Sequence, residues 1–346
     1  MTDGERFEVF GASLEEVRAL VESLGEPPYR AAQVLSWAYG RRVRDFHAMT
    51  NLPMGLRERL GASARLMTSS VEDVRRSLDG TTKLLVRLAD GEAIEAVSIP
   101  EGRRNTACLS TQVGCPVGCV FCASGLGGLV RNLRPGEIVE QVLHLLDVLP
   151  AEARLTNVVV MGVGEPLLNY AATRRALEVL TAPWGFGLSP RRITVSTVGL
   201  PERLERLAAE GPPVNLAVSL HASDDLTRSR LVPGARAIRD VLAAATHYQR
   251  ETGREVTVEY VLVAGVNDSR DDARGLARLV ARRPFLVNLI PVNEVAGLGW
   301  RAPDARQVER FASALRARGV RVQVRRRRGA DIEGACGQLR RRSPRS

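Results

Sequence analysis

The sequence predicts an α/β fold in which a partial (β/α)6 barrel follows a small helical N-terminal domain and a β-hairpin linker. From about residue 107, short apolar strand-like segments alternate with longer amphipathic segments. This alternation is typical of right-handed βαβ units around a parallel sheet. Before residue 66, apolar residues repeat at helical spacing instead. We therefore expect three regions, at residues 1–65, 66–106 and 107–346.

The N-terminal region predicts three short helices. Ser13 and Glu16 have the spacing of a capping box, and Gly25 is placed to end the first helix. A second helix is expected over residues 30–39, and a third is expected after Pro53. These helices are expected to form the compact N-terminal domain.

Strand-like segments follow the helical region. Residues 81–88 and 93–99 are rich in apolar side chains, and the turn residues between them predict a β-hairpin. The barrel strands are expected at residues 107–113, 157–161, 193–196, 214–220, 256–263 and 286–290. Long crossover segments between them include residues 135–148, 170–180 and 238–248, as parallel strands require.

The charge balance favours a polyanionic partner. The chain has 49 lysine and arginine residues against 39 acidic residues, which gives a net charge of +10. Lys83 is the only lysine, so the arginine excess reflects a compositional bias and only the sign of the balance is informative. The basic clusters could contact nucleic acid or equally form solvated surface. They are Arg103-Arg104, Arg191-Arg192, Arg325 to Arg328 and Arg340 to Arg342.

Length and cysteine content exclude several protein classes. A chain of 346 residues with 45% hydrophobic residues can bury a large core. No apolar run reaches the length of a membrane span, and the N-terminus lacks the apolar core of a signal peptide. The five cysteines fit a reducing compartment better than a disulfide framework. We expect a cytoplasmic protein without membrane contact.

Three cysteines have the spacing Cys-x3-Cys-x2-Cys, which predicts an iron–sulfur cluster. Cys115, Cys119 and Cys122 can hold three corners of a [4Fe–4S] cube and leave the fourth iron open to an exchangeable ligand. A structural zinc knuckle and three unconnected buried cysteines are the alternatives. Zinc prefers four ligands, and the sequence has no second cysteine pair or histidine nearby. The spacing therefore favours the cluster.

Polar and glycine residues follow several of the predicted strands. In a parallel barrel such residues collect at one mouth, where the reactive groups lie. Glycines let the backbone approach a ligand, and a carboxylate accepts from an ammonium group. Each residue could also be an ordinary cap or turn residue. The residues in these positions are Gly164, Glu165, Ser196, Ser219, His221 and Asn293, and Leu220 lies between Ser219 and His221.

Two cysteines remain outside the triplet. Cys108 precedes it, and Cys336 lies near the C-terminus. Both could be buried and inert, as free cysteines often are. Gly334, Gly337 and nearby arginines predict an exposed, electropositive loop around Cys336. We expect the pKa of the Cys336 thiol to be lowered there, which favours a nucleophile.

These motifs together resemble the RlmN family of radical S-adenosylmethionine (SAM) methyltransferases, which modify C2 of an adenine in 23S ribosomal RNA. The cysteine loop, with its aromatic residue before the third cysteine, already resembles radical SAM enzymes. The resemblance covers nearly the whole chain. The other segments that carry it are Met49 to Pro53, Arg131 to Leu133, Gly164 to Asn169, Gly185 to Ser189, Ser219 to Ala222 and the segment around Cys336.

The resemblance implies a mechanism that uses two SAM molecules per turnover. Cys336 takes a methyl group from one SAM, and a second SAM on the cluster is cleaved to a 5′-deoxyadenosyl radical. That radical removes a hydrogen from the methyl group, and the carbon radical adds to the adenine. Cys108 then resolves the protein–RNA adduct by forming a disulfide with Cys336. The residues at the strand ends would contact SAM, and Glu95 matches a position assigned as a general base.

The resemblance also implies partners. These are 23S ribosomal RNA, transfer RNA as a further candidate, and an electron donor such as flavodoxin or ferredoxin. The N-terminal helical domain would be an accessory RNA-binding domain, and nothing in the sequence demands more than a monomer. Glu95 lies in an alternating strand, where a glutamate ordinarily faces solvent.

Three other functions stay open on the sequence. A Cfr-type enzyme, which methylates C8 of adenine and confers antibiotic resistance, has the same two cysteines. A non-catalytic iron–sulfur RNA-binding protein fits the charge but leaves Cys108 and Cys336 unexplained. A radical SAM enzyme acting on a peptide or a small molecule also leaves Cys336 unexplained. The sequence departs from the commoner family motifs at Ala123 to Gly128 and at Glu294.

Overall fold

The chain folds around one ten-stranded sheet, described in a computed structural model that covers residues 6–150 and 153–339. The strands are β1 (Phe7–Glu8), β2 (Ala64–Arg65), β3 (Ser69–Arg76), β4 (Thr82–Leu88), β5 (Ala93–Glu101), β6 (Arg104–Cys108), β7 (Gln112–Gly114), β8 (Leu129–Asn132), β9 (Asn157–Val160), β10 (Ile193–Thr197), β11 (Asn215–Ser219), β12 (Val256–Leu262), β13 (Leu286–Pro291) and β14 (Arg321–Val324). The α-helices are α1 (Leu14–Ser23), α2 (Arg30–Leu35), α3 (Met54–Ser63), α4 (Pro135–Val148), α5 (Tyr170–Thr181), α6 (Pro201–Glu210), α7 (Asp225–Leu231), α8 (Ile238–Thr252), α9 (Arg270–Val280) and α10 (Ala305–Arg316).

Seven strands of the central sheet are parallel and form the barrel. β6 is followed across the sheet by β9, β10, β11, β12, β13 and β14, and helices α4 to α10 lie in the connections. β14 and β3 are the two edges of the sheet, so the barrel is open. The predicted α/β partial barrel is confirmed. The structure adds β14 as a seventh parallel strand, whose four residues do not stand out within the arginine-rich tail.

The first predicted barrel strand, residues 107–113, is interrupted. β6 ends at Cys108 and β7 begins at Gln112. Between them Ser110 leaves the ladder, and its hydroxyl donates to the Glu95 carbonyl oxygen at 2.7 Å. β7 then pairs with β8 in a separate two-stranded sheet. This break carries the chain out of the central sheet and into the cysteine loop.

The predicted hairpin is present as β4 and β5, and its strands are part of the central sheet. β3 and β6 flank the hairpin, and all three pairings are antiparallel. The register places Lys83, Val97 and Cys108 in one row across β4, β5 and β6. Directly paired residues point to the same face of a sheet. The expected domain limits at residues 65 and 106 stay predictions.

The N-terminal helices form as the sequence predicts. The Ser13 hydroxyl accepts from the Glu16 amide at 3.1 Å, and the Glu16 carboxylate accepts from the Ser13 amide at 2.6 Å. This capping box starts α1, and the chain turns away after it at Gly25, which has a φ of 76°. α2 continues into a π-helical turn at Ser36–Gly40, and α3 follows Pro53.

Two glycines bring the helical region close to the barrel. Gly11 lies against the start of α4, where a Cβ would be 2.3 Å from the amide nitrogen of Gly136. Gly136 is equally constrained, because a Cβ there would be 2.6 Å from the Phe10 carbonyl oxygen. The Tyr39 hydroxyl accepts from the Gly11 amide at 3.0 Å, and its ring packs edge-on against Phe186. These contacts fix the position of the helical region against the barrel.

One apolar core runs from the helical region through the barrel. Buried aliphatic side chains of α1 and α3 belong to the same cluster as those of the parallel strands. None of the helices in the described ranges is long and apolar enough to cross a membrane. The basic cluster Arg340 to Arg342 lies outside the described residues.

Candidate active site

The cysteine triplet lies on the loop after β7. Cys115, Cys119 and Cys122 line one cavity of about 140 Å³, together with residues at the ends of the parallel strands. Gly114 shapes the start of the loop, since it has a φ of 78° and a Cβ there would lie 1.9 Å from the Gly128 carbonyl oxygen. Phe121 packs edge-on against His221, with ring centroids 5.0 Å apart. The aromatic residue before the third cysteine thus ties the loop to the fourth strand end of the barrel.

The donor set suits an iron–sulfur cluster. Burial raises the pKa of the Cys115 thiol to about 11, and it also raises the pKa values of Cys119 and Cys122. A bound metal displaces such protons, because thiolates are the ligands. Among the described residues, no three His, Cys, Asp or Glu side chains converge on a site for a single ion. A [4Fe–4S] cube bonds each thiolate to a different iron and does not need that convergence.

Gly164 and Glu165 form the wall of the cavity after β9. Gly164 has a φ of 111°, and a Cβ there would lie 2.7 Å from the Cβ of Gln112. The Glu165 carboxylate is 3% exposed and accepts from the amides of Leu167 at 3.0 Å and Val198 at 2.9 Å. Burial raises its pKa, and these hydrogen bonds oppose the increase. Carboxylate oxygens have further lone pairs, so the group can also accept from a bound ammonium.

Ser196, Ser219 and His221 line the same cavity at the ends of β10 and β11. The two serine hydroxyls are 3.4 Å apart. His221 has a φ of 61°, an uncommon backbone conformation for a residue other than glycine. Its Nδ1 accepts from the Val261 amide at 3.1 Å, which assigns the ring proton to Nε2. Burial lowers the pKa of His221 to about 3, so the imidazole is neutral and donates through Nε2.

Asn293 and Leu220 differ in their access to the cavity. Asn293 lines it, and its amide nitrogen donates to the Cys336 carbonyl oxygen at 2.8 Å. Its Oδ1 is buried without a hydrogen-bond partner in the described structure. Leu220 does not line the cavity, because its side chain is fully buried in the apolar core. A contact between Leu220 and SAM stays a prediction, and it would have to be made by the Leu220 backbone.

The C-terminal segment brings Cys336 to the triplet. The Ala123 amide donates to the Gly337 carbonyl oxygen at 2.8 Å, and the Ser124 hydroxyl donates to the Leu339 carbonyl oxygen at 2.6 Å. Both donors follow Cys122 directly in the chain. Cys336 lines the cavity of the three triplet cysteines as a result.

The expectation for the pKa of Cys336 is wrong. Cys336 is exposed, as expected for this loop, but burial of the thiol against the cavity wall raises its pKa. The nearby Arg325 lowers the pKa, while Cys122 and Glu259 raise it. The position of the thiol in the cavity outweighs the surrounding arginines. A bound cationic ligand would favour the thiolate.

Cys108 lies under the tail that carries Cys336. It packs in a small apolar cluster with Val97, Val163 and Leu339. Burial raises its pKa to about 12, and the nearby Cys336 contributes to the increase. The two cysteines are therefore electrostatic neighbours, with Cys108 on the sheet and Cys336 on the loop above it.

Glu95 is buried instead of facing solvent. It is 1% exposed, and its carboxylate lies 3.0 Å from the ammonium of Lys83. The alternating pattern of its strand fails here because the C-terminal segment covers this face of the hairpin. Glu95 does not line the cavity of the cysteine triplet, nor the second cavity that lies beside it.

A second cavity of about 350 Å³ lies beside the first. Cys336, Asn293 and Glu259 line both of them. The walls of the second cavity carry Arg104 and the cluster Arg325 to Arg328, with threonine and amide side chains between them. This basic and polar lining suits a ligand that carries phosphates.

The sequence reasoning missed two buried cations. Arg228 is 0% exposed and donates to the carbonyl oxygens of Leu220 at 3.2 Å and Ser219 at 3.2 Å, so it holds the strand end beside His221. Burial lowers its pKa to about 10. No pattern in the sequence distinguishes Arg228 from the other arginines. Lys83, by contrast, could have been found, because it is the only lysine.

Two family models match separate parts of the chain. The model of the radical SAM superfamily matches residues 109–277. The model of the ribosomal RNA large subunit methyltransferase N-terminal domain matches residues 7–66. The first range contains the cysteine loop and the ends of β9 to β12 that line the cavity, and the second contains α1 to α3.

Similar proteins cover nearly the full length of the chain. The probable dual-specificity RNA methyltransferase RlmN of Rhodopirellula baltica is 47% identical over 95% of this chain and 89% of that protein. The dual-specificity RNA methyltransferase RlmN of Anaeromyxobacter dehalogenans is 46% identical over 94% of this chain and 89% of that protein. The crystal structure of a radical SAM methyltransferase from Sphaerobacter thermophilus is 44% identical, with a TM-score of 0.92 over 96% of this chain and 99% of that chain.

These similarities agree with the site. A radical SAM enzyme uses a [4Fe–4S] cluster and SAM, which fits the three cysteines and the polar cavity beside them. RlmN enzymes use two SAM molecules, and RNA is their substrate. At this identity and coverage, the chain belongs to the RlmN family of radical SAM RNA methyltransferases.

Proposed function

We propose that this protein methylates C2 of an adenine in 23S ribosomal RNA and that the methyl group passes through Cys336. The observation that carries the proposal is that Cys336 lines both cavities. One thiol can therefore face the cofactor on one side and a nucleotide on the other. The relatives named dual-specificity enzymes support a second RNA substrate, for which we propose transfer RNA.

In this proposal the first cavity holds the cofactors. Cys115, Cys119 and Cys122 hold a [4Fe–4S] cluster which, with SAM, supplies a 5′-deoxyadenosyl radical. The Glu165 carboxylate accepts from the ammonium of SAM, and Nε2 of His221 donates a hydrogen bond to an acceptor atom elsewhere on SAM. The other SAM-contacting residues are Gly164, Ser196, Ser219 and Asn293, with Leu220 contributing only through its backbone.

The two remaining cysteines have separate roles in this proposal. The Cys336 thiolate takes the methyl group of one SAM, forming a carbon–sulfur bond and releasing S-adenosylhomocysteine. The methyl carbon, after losing one hydrogen atom to the 5′-deoxyadenosyl radical, bonds to adenine C2, and the adduct gives up one electron and the C2 proton. The Cys108 thiolate then attacks the Cys336 sulfur, and the carbon–sulfur bonding pair stays on the carbon, which takes up a proton to complete the methyl group. The product is a Cys108–Cys336 disulfide, which a two-electron reductant must reopen.

Glu95 and the partners are also part of the proposal. Glu95 keeps the role of general base only if a movement opens a path to it, since it is enclosed beside Lys83. We propose that flavodoxin or ferredoxin supplies electrons for SAM cleavage and that the enzyme acts as a monomer in the cytoplasm. The second cavity and its arginines are the proposed path of the RNA backbone.

The site of methylation is tested by nucleoside mass spectrometry. Reconstituted enzyme is incubated anaerobically with reductant, SAM and unmodified 23S ribosomal RNA, and the digest is compared with 2-methyladenosine and 8-methyladenosine. We expect 2-methyladenosine alone. A product that matches 8-methyladenosine would assign the Cfr-type reaction instead. An enzyme that forms no 5′-deoxyadenosine from SAM would be an iron–sulfur RNA-binding protein.

The roles of the two cysteines are tested by separate alanine variants. Cys336→Ala is expected to abolish RNA methylation, whereas Cys108→Ala is expected to accumulate a covalent RNA–protein adduct on a denaturing gel. The double variant serves as the control, because without Cys336 no adduct can form. Turnover by Cys336→Ala would contradict the methyl transfer through this residue and favour a different radical SAM reaction.

A further inference from the structure

The only lysine of the chain lies beneath the loop that carries Cys336. All other residues among the 49 lysines and arginines are arginine, so lysine is strongly disfavoured in this sequence. Lys83 nevertheless lies on β4, where it is 3% exposed. Its ammonium lies 3.0 Å from the Glu95 carboxylate and donates to the Glu333 carbonyl oxygen at 3.0 Å. One buried cation thus joins the hairpin to the chain three residues before Cys336.

Lys83 occupies the same face of the sheet as Cys108. Lys83 is paired with Val97, and Val97 is paired with Cys108, so the three side chains form one row. Leu339 of the C-terminal segment packs against Val97 and Cys108. The segment around Cys336 therefore covers this row from Lys83 at one end to Cys108 at the other.

The β3–β4 turn holds the same segment. The Ser77 hydroxyl donates to the Asp331 carboxylate at 2.6 Å, and the Gly329 amide donates to the Asp79 carboxylate at 3.0 Å. A Cβ on Gly329 would lie only 2.7 Å from Cγ2 of Thr81, so this contact is close. These bonds hold residues 329–331, whereas Lys83 acts at Glu333, nearer to Cys336.

Ammonium and guanidinium groups differ in what they can hold at this position. An ammonium is compact, and its three donors can bond a carboxylate and a carbonyl oxygen in different directions. A guanidinium is larger, and its donors lie in one plane. The Glu333 carbonyl belongs to a residue with a φ of 53°, which fixes its direction in a tight turn. This geometry explains a lysine in a chain that otherwise uses arginine.

We propose that Lys83 is a positioning residue that holds Cys336 within reach of Cys108 by tying the Glu333 carbonyl to the Glu95 carboxylate. The proposal rests on the proposed function, in which these two cysteines form a disulfide in each turnover. Lys83 lines neither cavity, so it contacts neither the cofactors nor the RNA. Loss of the Lys83 ammonium should leave SAM cleavage intact and lower RNA methylation, so that the two activities become uncoupled.

The direct test measures how readily Cys108 and Cys336 form a disulfide. Wild type, Lys83→Met, Lys83→Arg and Arg87→Met are equilibrated with glutathione redox buffers under anaerobic conditions, and the bridged peptides are quantified by mass spectrometry. We expect the equilibrium constant for this disulfide to fall at least tenfold in both Lys83 variants, a shift of about 30 mV. Arg87→Met is the matched control, since it removes an ion-paired cation from the same strand, at the end away from Glu333.

A second measurement follows coupling during turnover. The ratio of 5′-deoxyadenosine formed to adenosine methylated is expected to rise at least tenfold in both Lys83 variants and to stay at the wild-type value in Arg87→Met. Cluster content, from the visible absorbance, is expected to be the same in all four proteins. A purely structural role of Lys83 would instead lower cleavage and methylation together.

The outcomes separate the two proposals. If wild type forms no Cys108–Cys336 disulfide and no methylated Cys336, the proposed function fails. If wild type forms both and Lys83→Arg matches it in disulfide stability and coupling, the role of Lys83 is overturned. If Lys83→Met shows no cooperative unfolding, Lys83→Arg, which keeps the charge, decides the question.

Discussion

The two ends of the molecule solve different physical problems. In the helical region, aliphatic side chains are buried in the apolar core. The capping box of α1 provides hydrogen bonds for backbone amides at the start of that helix. At the barrel mouth, Glu165 is buried, Asn293 has an unpartnered oxygen and His221 has a positive φ. The helical region also has one residue other than glycine with a positive φ, Arg42, and the buried Nε atoms of Arg30 and Arg57 lack a hydrogen-bond partner in the described structure. The difference is that Glu165, Asn293 and His221 line one cavity, where a ligand can complete them. The helical region is stabilised mainly by apolar packing, whereas the barrel mouth has a cavity lined by polar groups that can bind ligands.

The largest effect on stability is expected in the helical region. Leu60 is 0% exposed on α3, and Leu60→Ala keeps the helical propensity but leaves a cavity in the core. We expect the free energy of unfolding to fall by about 2–5 kcal/mol. Urea unfolding followed by circular dichroism measures this change.

The same variant also tests the separation of the two ends. The rate of SAM cleavage at 20 °C is expected to remain near that of wild type while the protein is folded. A large loss of cleavage in folded Leu60→Ala would show that packing in the helical region controls the geometry of the cavity.

At the barrel mouth, Gly164→Ala is expected to have a smaller effect, and this effect falls on SAM binding instead of on the stability of the core. The Cβ of Gly164→Ala would meet the Gln112 side chain at 2.7 Å, and the residue has a φ of 111°. Because this backbone forms the cavity wall beside Glu165, we expect SAM binding to weaken about 10- to 100-fold, or roughly 1.4–2.7 kcal/mol. Isothermal titration of the reconstituted protein with SAM measures the affinity.

Gly187→Ala is the matched control for Gly164→Ala. Gly187 also has a positive φ, of 61°, but a Cβ there would meet no atom within 4 Å and the residue does not line the cavity. Because a φ of 61° lies in the left-handed α region and a φ of 111° does not, we expect a smaller backbone cost from this variant, and no loss of SAM affinity. Equal losses in the two variants would mean that backbone strain, and not the cavity wall, determines binding.

The sequence predicts the helical end more completely than the barrel mouth. Helix α1 forms where the sequence predicts it because the capping box of Ser13 and Glu16 and the turn at Gly25 mark both ends locally. The burial of Glu95 could not be predicted, since it depends on a segment more than 200 residues later in the chain. The approach of Cys336 to the triplet is likewise absent from any local pattern. It was expected from the family resemblance, and the shared cavity agrees with it.

The smallest effect concerns Glu140, a buried carboxylate of α4 that lies next to the helical region, near Tyr39 and Glu8. Glu140 accepts from the Thr68 amide at 3.0 Å and from the hydroxyls of Thr68 and Ser69. Burial raises its pKa to about 7. Between pH 4.5 and 7 the unfolded chain therefore loses this proton before the folded protein does. This group's contribution to stability is present at low pH and is lost as pH rises through that window.

Glu140→Gln removes this titration and keeps an oxygen that can accept from Thr68. The free energy of unfolding of wild type, relative to the variant, is expected to fall by on the order of 2 kcal/mol between pH 4.5 and 7.5. Urea unfolding of both proteins across this range measures the difference, in which the other titrating groups cancel. A constant difference would show that Glu140 is ionised throughout, held by its three donors. The contact between α4 and the helical region would then tolerate a buried charge, as the barrel mouth does. The contrast between the helical region and the barrel mouth would rest only on the strained groups that line the cavity and on ligand access.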